Sequence, residues 1–335
     1  MNSDKVFIIA EAGVNHNGSL QLAKELVDAA VESGVDAVKF QTWKTELVVT
    51  QDVGKAEYQV RTTTGKNTQF DMLSKLELPF NDFRELKSYC DSKKIMFLST
   101  ADEEVSATFL LELQNIFKIG SGELTNLPFL RFIGALKKKV ILSTGMGNLG
   151  EVESALKVLI DAGTTKEDIT VLHVTTQYPT PMSEVNLKAM NTIQGAFDVR
   201  VGYSDHTMGI EVPIAAVALG ARIIEKHFTL SRKMEGPDHQ ASLEPSELAQ
   251  MVCAIRNIEL ALGNGIKQIQ DCEQQNKKVV QKFIVAIKPI MAGEAFTIDN
   301  IAVKRASSGL EAKYWNLVIG RQSDQVYSTD QSIAI

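Results

Sequence analysis

Residues Val199–His227 read VRVGYSDHTMGIEVPIAAVALGARIIEKH. Two short β-prone runs, Val199–Ser204 and Arg222–His227, flank an apolar segment of helical character, IEVPIAAVALG. His206 follows the first run and His227 ends the second, in a chain with only five histidines. Nearly continuous apolar runs on either side of a helix are the pattern of parallel strands buried on both faces. In such a strand–helix–strand unit the two strand ends lie side by side. The spacing therefore predicts that the two histidines stand at equivalent points of neighbouring strands.

Working outward, six more runs of the same kind precede this unit: Val6–Ala10, Ala37–Gln41, Ile95–Ser99, Ile116–Gly120, Val140–Thr144 and Val171–Thr175. Amphipathic stretches such as Leu20–Gly34 and Gly150–Gly163 separate most of them. Eight strand–helix alternations over about 265 residues match an α/β fold of the (β/α)8 TIM-barrel type. A long polar insertion, Thr42–Phe80, follows the second run and contains TTTGKN (Thr62–Asn67), which reads as an active-site loop or lid. After the helical stretch Pro245–Leu262 the pattern changes. Residues 264–278 are polar and Gln-rich, a linker, and 279–335 carry short strand-like pieces with turn signals, a small β-rich second domain. The barrel domain is expected over residues 1–263.

Composition excludes several classes. A net charge of −6 argues against a general nucleic-acid binder, which needs a basic face. The opening apolar run is too short for a signal peptide or a membrane span. Three cysteines without a CxxC pattern suggest a reducing compartment, so a cytoplasmic protein is expected.

In a (β/α)8 barrel the chemistry sits at the carboxyl ends of the strands. There the runs deliver Glu11, Lys39, Gln41, Thr100, Lys118, Ser121, Glu123, Ser143, Tyr178, Ser204, His206 and His227. Lys39 and Lys118 lie inside apolar runs, and a buried ammonium needs an anionic partner. Two neutral imidazoles on adjacent strands, with no thiolate nearby, suit an oxygen-completed Mn²⁺, Fe²⁺ or Co²⁺ site rather than structural zinc. Glu11 and Glu123 suit proton transfer if burial raises their pKa, the alternative being loop caps or partners for Lys39 and Lys118. GMGNLG (Gly145–Gly150) matches G-x-G-x-x-G literally. It follows the fifth strand rather than the first and lacks the acid expected at the end of the next, so it reads as a strand-to-helix turn whose amino-terminus can help hold a phosphate.

Eight stretches run in order along the chain: AEAGVNHNGS (Ala10–Ser19), VKFQT (Val38–Thr42), FKIGSGE (Phe117–Glu123), LSTGM (Leu142–Met146), YPTP (Tyr178–Pro181), VGYSDHT (Val201–Thr207), EKHFT (Glu225–Thr229) and GPDH (Gly236–His239). In these the chain resembles the sialic acid synthase family, the phosphoenolpyruvate-dependent N-acetylneuraminate and N,N'-diacetyllegionaminate synthases. The tail resembles the family's antifreeze-like SAF domain. The resemblance implies condensation of phosphoenolpyruvate with an N-acylated mannosamine-type sugar and water, with release of phosphate. It further implies that His206 and His227 hold a divalent metal, normally Mn²⁺, with Mg²⁺ or Co²⁺ as alternatives. Lys39, Thr100, Lys118, Ser121, Ser143 and Ser204 would bind phosphoenolpyruvate, and Glu11 and Glu123 would act in catalysis. Gln41, Tyr178, Asp238 and Arg305 would bind the sugar, Arg305 from the tail of a domain-swapped homodimer. Ala101, Thr176 and Ala306 depart from the family's usual Pro, Asn and Pro. The segments AEYQ (Ala56–Gln59) and TQFDMLSKLEL (Thr68–Leu78) resemble the legionaminic branch. The expected acceptor is therefore a 2,4-diacetamido-2,4,6-trideoxymannose, with N-acetylmannosamine the alternative. A metal-dependent aldolase or hydrolase is a more distant reading.

Overall fold

Eight parallel strands close into a barrel in chain order: β1 (Phe7–Gly13), β2 (Ala37–Thr42), β3 (Met96–Ala101), β4 (Ile116–Ile119), β5 (Lys139–Ser143), β6 (Ile169–Val174), β7 (Arg200–Asp205) and β8 (Ile223–His227). This is the expected (β/α)8 architecture, seen in a computed structural model that describes residues 5–63 and 68–334. The chain divides into two compact units, Met1–Gly263 and Asn264–Ile335.

Side-chain alternation along the strands builds two different interiors. Ile9, Ala37, Leu98, Ile141, Leu172 and Ile223 form one apolar cluster. Two residues further along, five of these six strands carry Glu11, Lys39, Thr100, Ser143 and Glu225 on the same face, the sixth carrying Val174. The barrel thus has an apolar plug beneath a polar mouth. The opposite strand faces (Ile8, Val38, Phe97, Val140, Val171, Val201, Ile224) join a separate core with helix residues such as Leu26, Leu86, Leu130, Leu159 and Leu248. Gly202 is required inside the barrel, because a Cβ there would lie 2.4 Å from the Ile223 carbonyl oxygen and 2.6 Å from Leu172 Cδ2.

The insertion after β2 carries three short helices, Thr45–Val48, Glu57–Thr62 and Gln69–Leu76. The tip of the expected TTTGKN loop, 64–67, lies outside the described residues. Among the described residues no helix is long and apolar enough to cross a membrane.

The second unit pairs β9 (Lys282–Ala286) and β10 (Ile301–Arg305) antiparallel, Ala286 opposite Ile301 and Lys282 opposite Arg305. Ile284, Ile290, Phe296, Ile301, Val318, Tyr327 and Ile333 form its core. The stretch read as a linker contains the start of a short helix, Gln274–Val280.

Candidate active site

Strand register brings the buried charges of the mouth together. Glu11 sits opposite Lys39 on one side and His227 on the other. Lys39 Nζ lies 2.6 Å from Glu11 Oε2, 3.8 Å from Glu225 Oε2, and donates to Thr100 Oγ1 at 2.8 Å. Lys118 Nζ stands 3.5 Å from Glu225 Oε1, which also accepts from Ser204 Oγ at 3.0 Å. Gln41 Nε2 donates to Glu11 Oε1 at 3.1 Å. Two ammonium groups and two carboxylates therefore share one buried floor.

Their protonation states differ because their surroundings do. Burial pushes Glu11 up to about 7 against the pull of Lys39, and the charge of Glu225 adds to the rise. Burial also works against ionisation of Glu225, yet the charges of Lys118 and Lys39 hold it down at about 2. Burial lowers Lys118, whereas Glu11 and Glu225 outweigh burial at Lys39 and raise it. Two lysines therefore face one firmly ionised carboxylate, Glu225, and a second, Glu11, whose ionisation burial resists, so an arriving anion finds cationic partners in the floor.

Above one side of this floor lies an aromatic wall. The rings of His206 and His227 are 5.3 Å apart, centre to centre. Tyr178 stacks on His206 at 4.1 Å and meets His227 edge-on at 5.6 Å. Burial pushes His206 down to about 4 and His227 well below its ordinary value, so both imidazoles are neutral. His206 Nδ1 is 2.8 Å from the Thr175 carbonyl oxygen, so it carries the hydrogen and its Nε2 lone pair is left for another partner. His227 Nδ1 is buried without a hydrogen-bond partner, 3.8 Å from Asp238 Oδ2. Two neutral imidazoles with spare lone pairs fit a divalent cation. Among the described residues no group of three or more His, Cys, Asp or Glu is placed to hold one, so water and substrate oxygens would complete the shell.

The loops bearing the histidines are pinned from behind. Lys226 Nζ lies 2.5 Å from Asp205 Oδ2 and 2.5 Å from the Thr207 carbonyl oxygen, with both charged side chains wholly buried. Asn15 Nδ2 ties the loop after β1 to Phe228 O at 2.8 Å and Ser242 Oγ at 3.0 Å, and Ser242 Oγ donates to Asp238 O at 2.7 Å.

The other expected residues separate into groups. Ser121 and Glu123 form a single turn of 3-10 helix after β4. Glu123 Oε2 accepts from Asn126 Nδ2 at 2.5 Å, which is the loop-cap arrangement, while Glu11 is the partner of Lys39. Ser143 is buried at the end of β5. Asp238 is buried and pushed up to about 6 by that burial. Arg305 belongs to the second unit, at the end of β10. The GMGNLG turn has a packing explanation. Gly145 has φ +35°, and a Cβ there would lie 2.3 Å from Ser121 Cβ and 2.6 Å from Thr176 Oγ1. The following helix start is already occupied by the Glu151 carboxylate, bonded to Asn148 N at 2.8 Å.

Three residues of the mouth went without a role in the sequence. Glu225 was visible as a polar strand end, but its place between two ammonium groups arises from barrel closure. Asp102, just past β3, is pushed up to about 7 by burial and by the neighbouring charge of Glu123. Its signal was its position two residues beyond Thr100. Tyr58, from the insertion, stacks on Tyr178 at 5.0 Å. Only AEYQ, as a branch resemblance, pointed to it.

Comparison with known proteins follows the same lines. Residues 26–267 match the NeuB family and 282–323 the SAF domain. The N,N'-diacetyllegionaminic acid synthase of Campylobacter jejuni is 49% identical over 330 residues, covering 98% of this chain and 99% of that protein. The enzyme of the same name from Legionella pneumophila is 43% identical over 317 residues, 94% of this chain and 89% of its own length. The crystal structure of N-acetylneuraminic acid (sialic acid) synthetase from Leptospira borgpetersenii, in complex with citrate, superposes with a TM-score of 0.72 at 33% identity. It covers 81% of this chain and 90% of that one.

Proposed function

This chain belongs to the NeuB family, and we propose that it condenses phosphoenolpyruvate with an N-acylated mannosamine-type sugar and water, releasing phosphate and forming N,N'-diacetyllegionaminic acid. It is a C–C bond-forming transferase, in keeping with near-full-length identity of 49% and 43% to two synthases of that name. The observation that supports the reading best is the buried floor of Lys39, Lys118, Glu11 and Glu225 beside two neutral imidazoles.

The residues divide the work by charge. Lys39 and Lys118 take the phosphate and carboxylate of phosphoenolpyruvate, with Thr100, Ser121, Ser143 and Ser204 supplying hydroxyl donors. C3 of phosphoenolpyruvate attacks the sugar aldehyde, water adds at C2, and cleavage of the C2–O bond frees phosphate. Glu11, with a pKa of about 7, can take up and return a proton near neutral pH, which is the condition for general acid–base work. Glu225 stays ionised and holds both ammonium groups in place. Glu123, whose charge reaches Asp102, is assigned to the sugar's hydroxyls and proton movement. Gln41, Tyr178 and Asp238 orient the acceptor. His206 and His227 would hold a divalent cation, Mn²⁺ by preference, which when bound supplies polarisation of the acceptor's aldehyde oxygen.

We further assign the chain to a domain-swapped homodimer in which Arg305 reaches the N-acyl group bound in the partner's barrel. Family resemblance supports this reading. Free thiols at the exposed Cys253 and Cys272 support a reducing, cytoplasmic setting. The deciding experiment measures phosphate release with phosphoenolpyruvate and either 2,4-diacetamido-2,4,6-trideoxymannose or N-acetylmannosamine, side by side. Faster release with the diacetamido sugar is expected. Release with neither sugar would overturn the reaction class.

A further inference from the structure

The aromatic wall of the mouth does not stop at Tyr178. Tyr58, on the inserted helix Glu57–Thr62, stacks on the outer face of Tyr178 with ring centres 5.0 Å apart and planes inclined by 29°. Three rings then stand in a row, His206, Tyr178 and Tyr58. The insertion is tied down at this point. Thr62 Oγ1 reaches both the Tyr58 carbonyl oxygen at 2.9 Å and the Pro237 carbonyl oxygen at 3.2 Å. Pro237 immediately precedes Asp238, so the helix is docked on the loop that brings a carboxylate beside His227. The buried Gln59 side chain donates to Tyr58 Oη at 3.3 Å and fixes the end of the ring. Tyr58 itself is half-buried.

We propose that Tyr58 is a specificity-determining residue: its ring is the surface against which the far end of the acceptor sugar packs. This rests on the condensation reading given above and adds the feature of the acceptor that is recognised. The aldehyde end of the acceptor must lie between the floor that holds phosphoenolpyruvate and the imidazole pair. Tyr58 lies two ring layers beyond His206, the rings spaced 4.1 and 5.0 Å centre to centre, so an extended six-carbon chain that starts at the imidazole pair points its far end toward Tyr58. C6 and the acetamido group carried on C4 of an open-chain acceptor therefore fall nearer Tyr58 than the lysines. An aromatic face favours a C6 methyl group and a flat C4 acetamido group, since both bury apolar surface against the ring. A sugar bearing hydroxyls at C4 and C6 must instead surrender water at those groups without a replacement partner from the ring. Asp238, close enough for its charge to add to the burial that pushes the Tyr58 phenol up, offers an acceptor for an acetamido N–H. The wall thus reads the far end of the sugar, and the floor reads phosphoenolpyruvate.

The test compares kcat/KM for the two acceptors in the full-length metal-loaded enzyme, for wild type, Tyr58→Ala and Tyr58→Phe. Tyr58→Ala should lower kcat/KM for the diacetamido trideoxy sugar about tenfold or more and that for N-acetylmannosamine by less than about threefold, the scale of one lost apolar contact. KM for phosphoenolpyruvate should stay unchanged. Tyr58→Phe, which keeps the ring and the fold, should retain the wild-type preference. Equal losses on both sugars, no loss on either, or a parallel rise in KM for phosphoenolpyruvate would overturn the assignment. So would a Phe variant as impaired as Ala, because the hydroxyl and not the ring would then be acting. A wild type that turns over N-acetylmannosamine alone would instead refute the substrate reading, and with it the methyl and acetamido contacts assigned to Tyr58.

Discussion

Replacing Lys39 by Met removes one ammonium from the floor while keeping a side chain of similar length. The outcome follows from the state of Glu11. In the folded protein Glu11 titrates near 7, against 4.5 in the unfolded chain. A carboxyl group whose folded pKa is raised contributes fully below the unfolded value, and that contribution is lost as pH rises through the folded one. For wild type the loss spans roughly pH 4.5 to 7 and amounts to about 3 kcal/mol, after which it flattens. Without Lys39, whose attraction lowers Glu11, the folded pKa moves higher still. Stability should then keep falling above pH 7 by about 1.4 kcal/mol per pH unit until Glu11 ionises. Lys39 adds no slope of its own here, because its folded pKa is raised and its contribution is lost only at strongly alkaline pH. Near pH 6, where Glu11 is mostly protonated in both proteins, the substitution should cost about 1–2 kcal/mol, the size of the lost bond to Thr100 and the weakened pairing with Glu225. Urea unfolding followed by circular dichroism at pH 6, 7.5 and 9 measures the difference directly. A gap between wild type and variant that stays constant from pH 6 to 9 would refute the reasoning, because Glu11 would then not be the coupled group. In the same protein KM for phosphoenolpyruvate should rise about 10- to 100-fold, the scale of one charge-assisted contact. KM for the sugar should move far less.

Three further outcomes are expected. Stripping divalent metal should abolish turnover and Mn²⁺ should restore it best, given the lone pairs left on His206 and His227; full activity in protein verified to be metal-free would contradict this. Mixed Arg305→Ala and Glu123→Ala chains should recover part of the activity through hybrid dimers in which one mouth is intact. Failure to recover despite demonstrated subunit exchange would rule out the swapped arrangement. Phosphoenolpyruvate labelled with ¹⁸O at the bridging oxygen should deliver its label to phosphate by mass spectrometry, whereas label kept in the sugar acid would mean attack on phosphorus.

Much of the barrel was legible because its causes are local. A parallel strand covered on both faces must be apolar almost throughout, so Val6–Ala10 and its seven counterparts stood out against amphipathic helices. Lys39 and Lys118 stood out for the same reason, as charges in apolar runs that had to find partners. The period of two then sent Glu11, Thr100, Ser143, Glu225 and His227 to the inner face without any knowledge of the closed structure. Pairing across the closed barrel lay beyond that reach. Glu225 meets Lys118 and Lys39 only because β8 closes against β1 and β7, and no spacing along the chain encodes that distance. Closure and burial together decide that Glu11 titrates near 7 while Glu225 stays ionised, although both are glutamates at strand ends. Glu123 looked equivalent to Glu11 in the sequence, and only the turn after β4 shows its carboxylate turned to Asn126. Tyr58 stands 120 positions from Tyr178, and its ring joins the wall through a docked insertion. Local pattern determines which residues face the mouth, because alternation along a strand is set by the backbone. Which of them touch, and which hold a charge, depends on distances and burial that exist only once the barrel has closed.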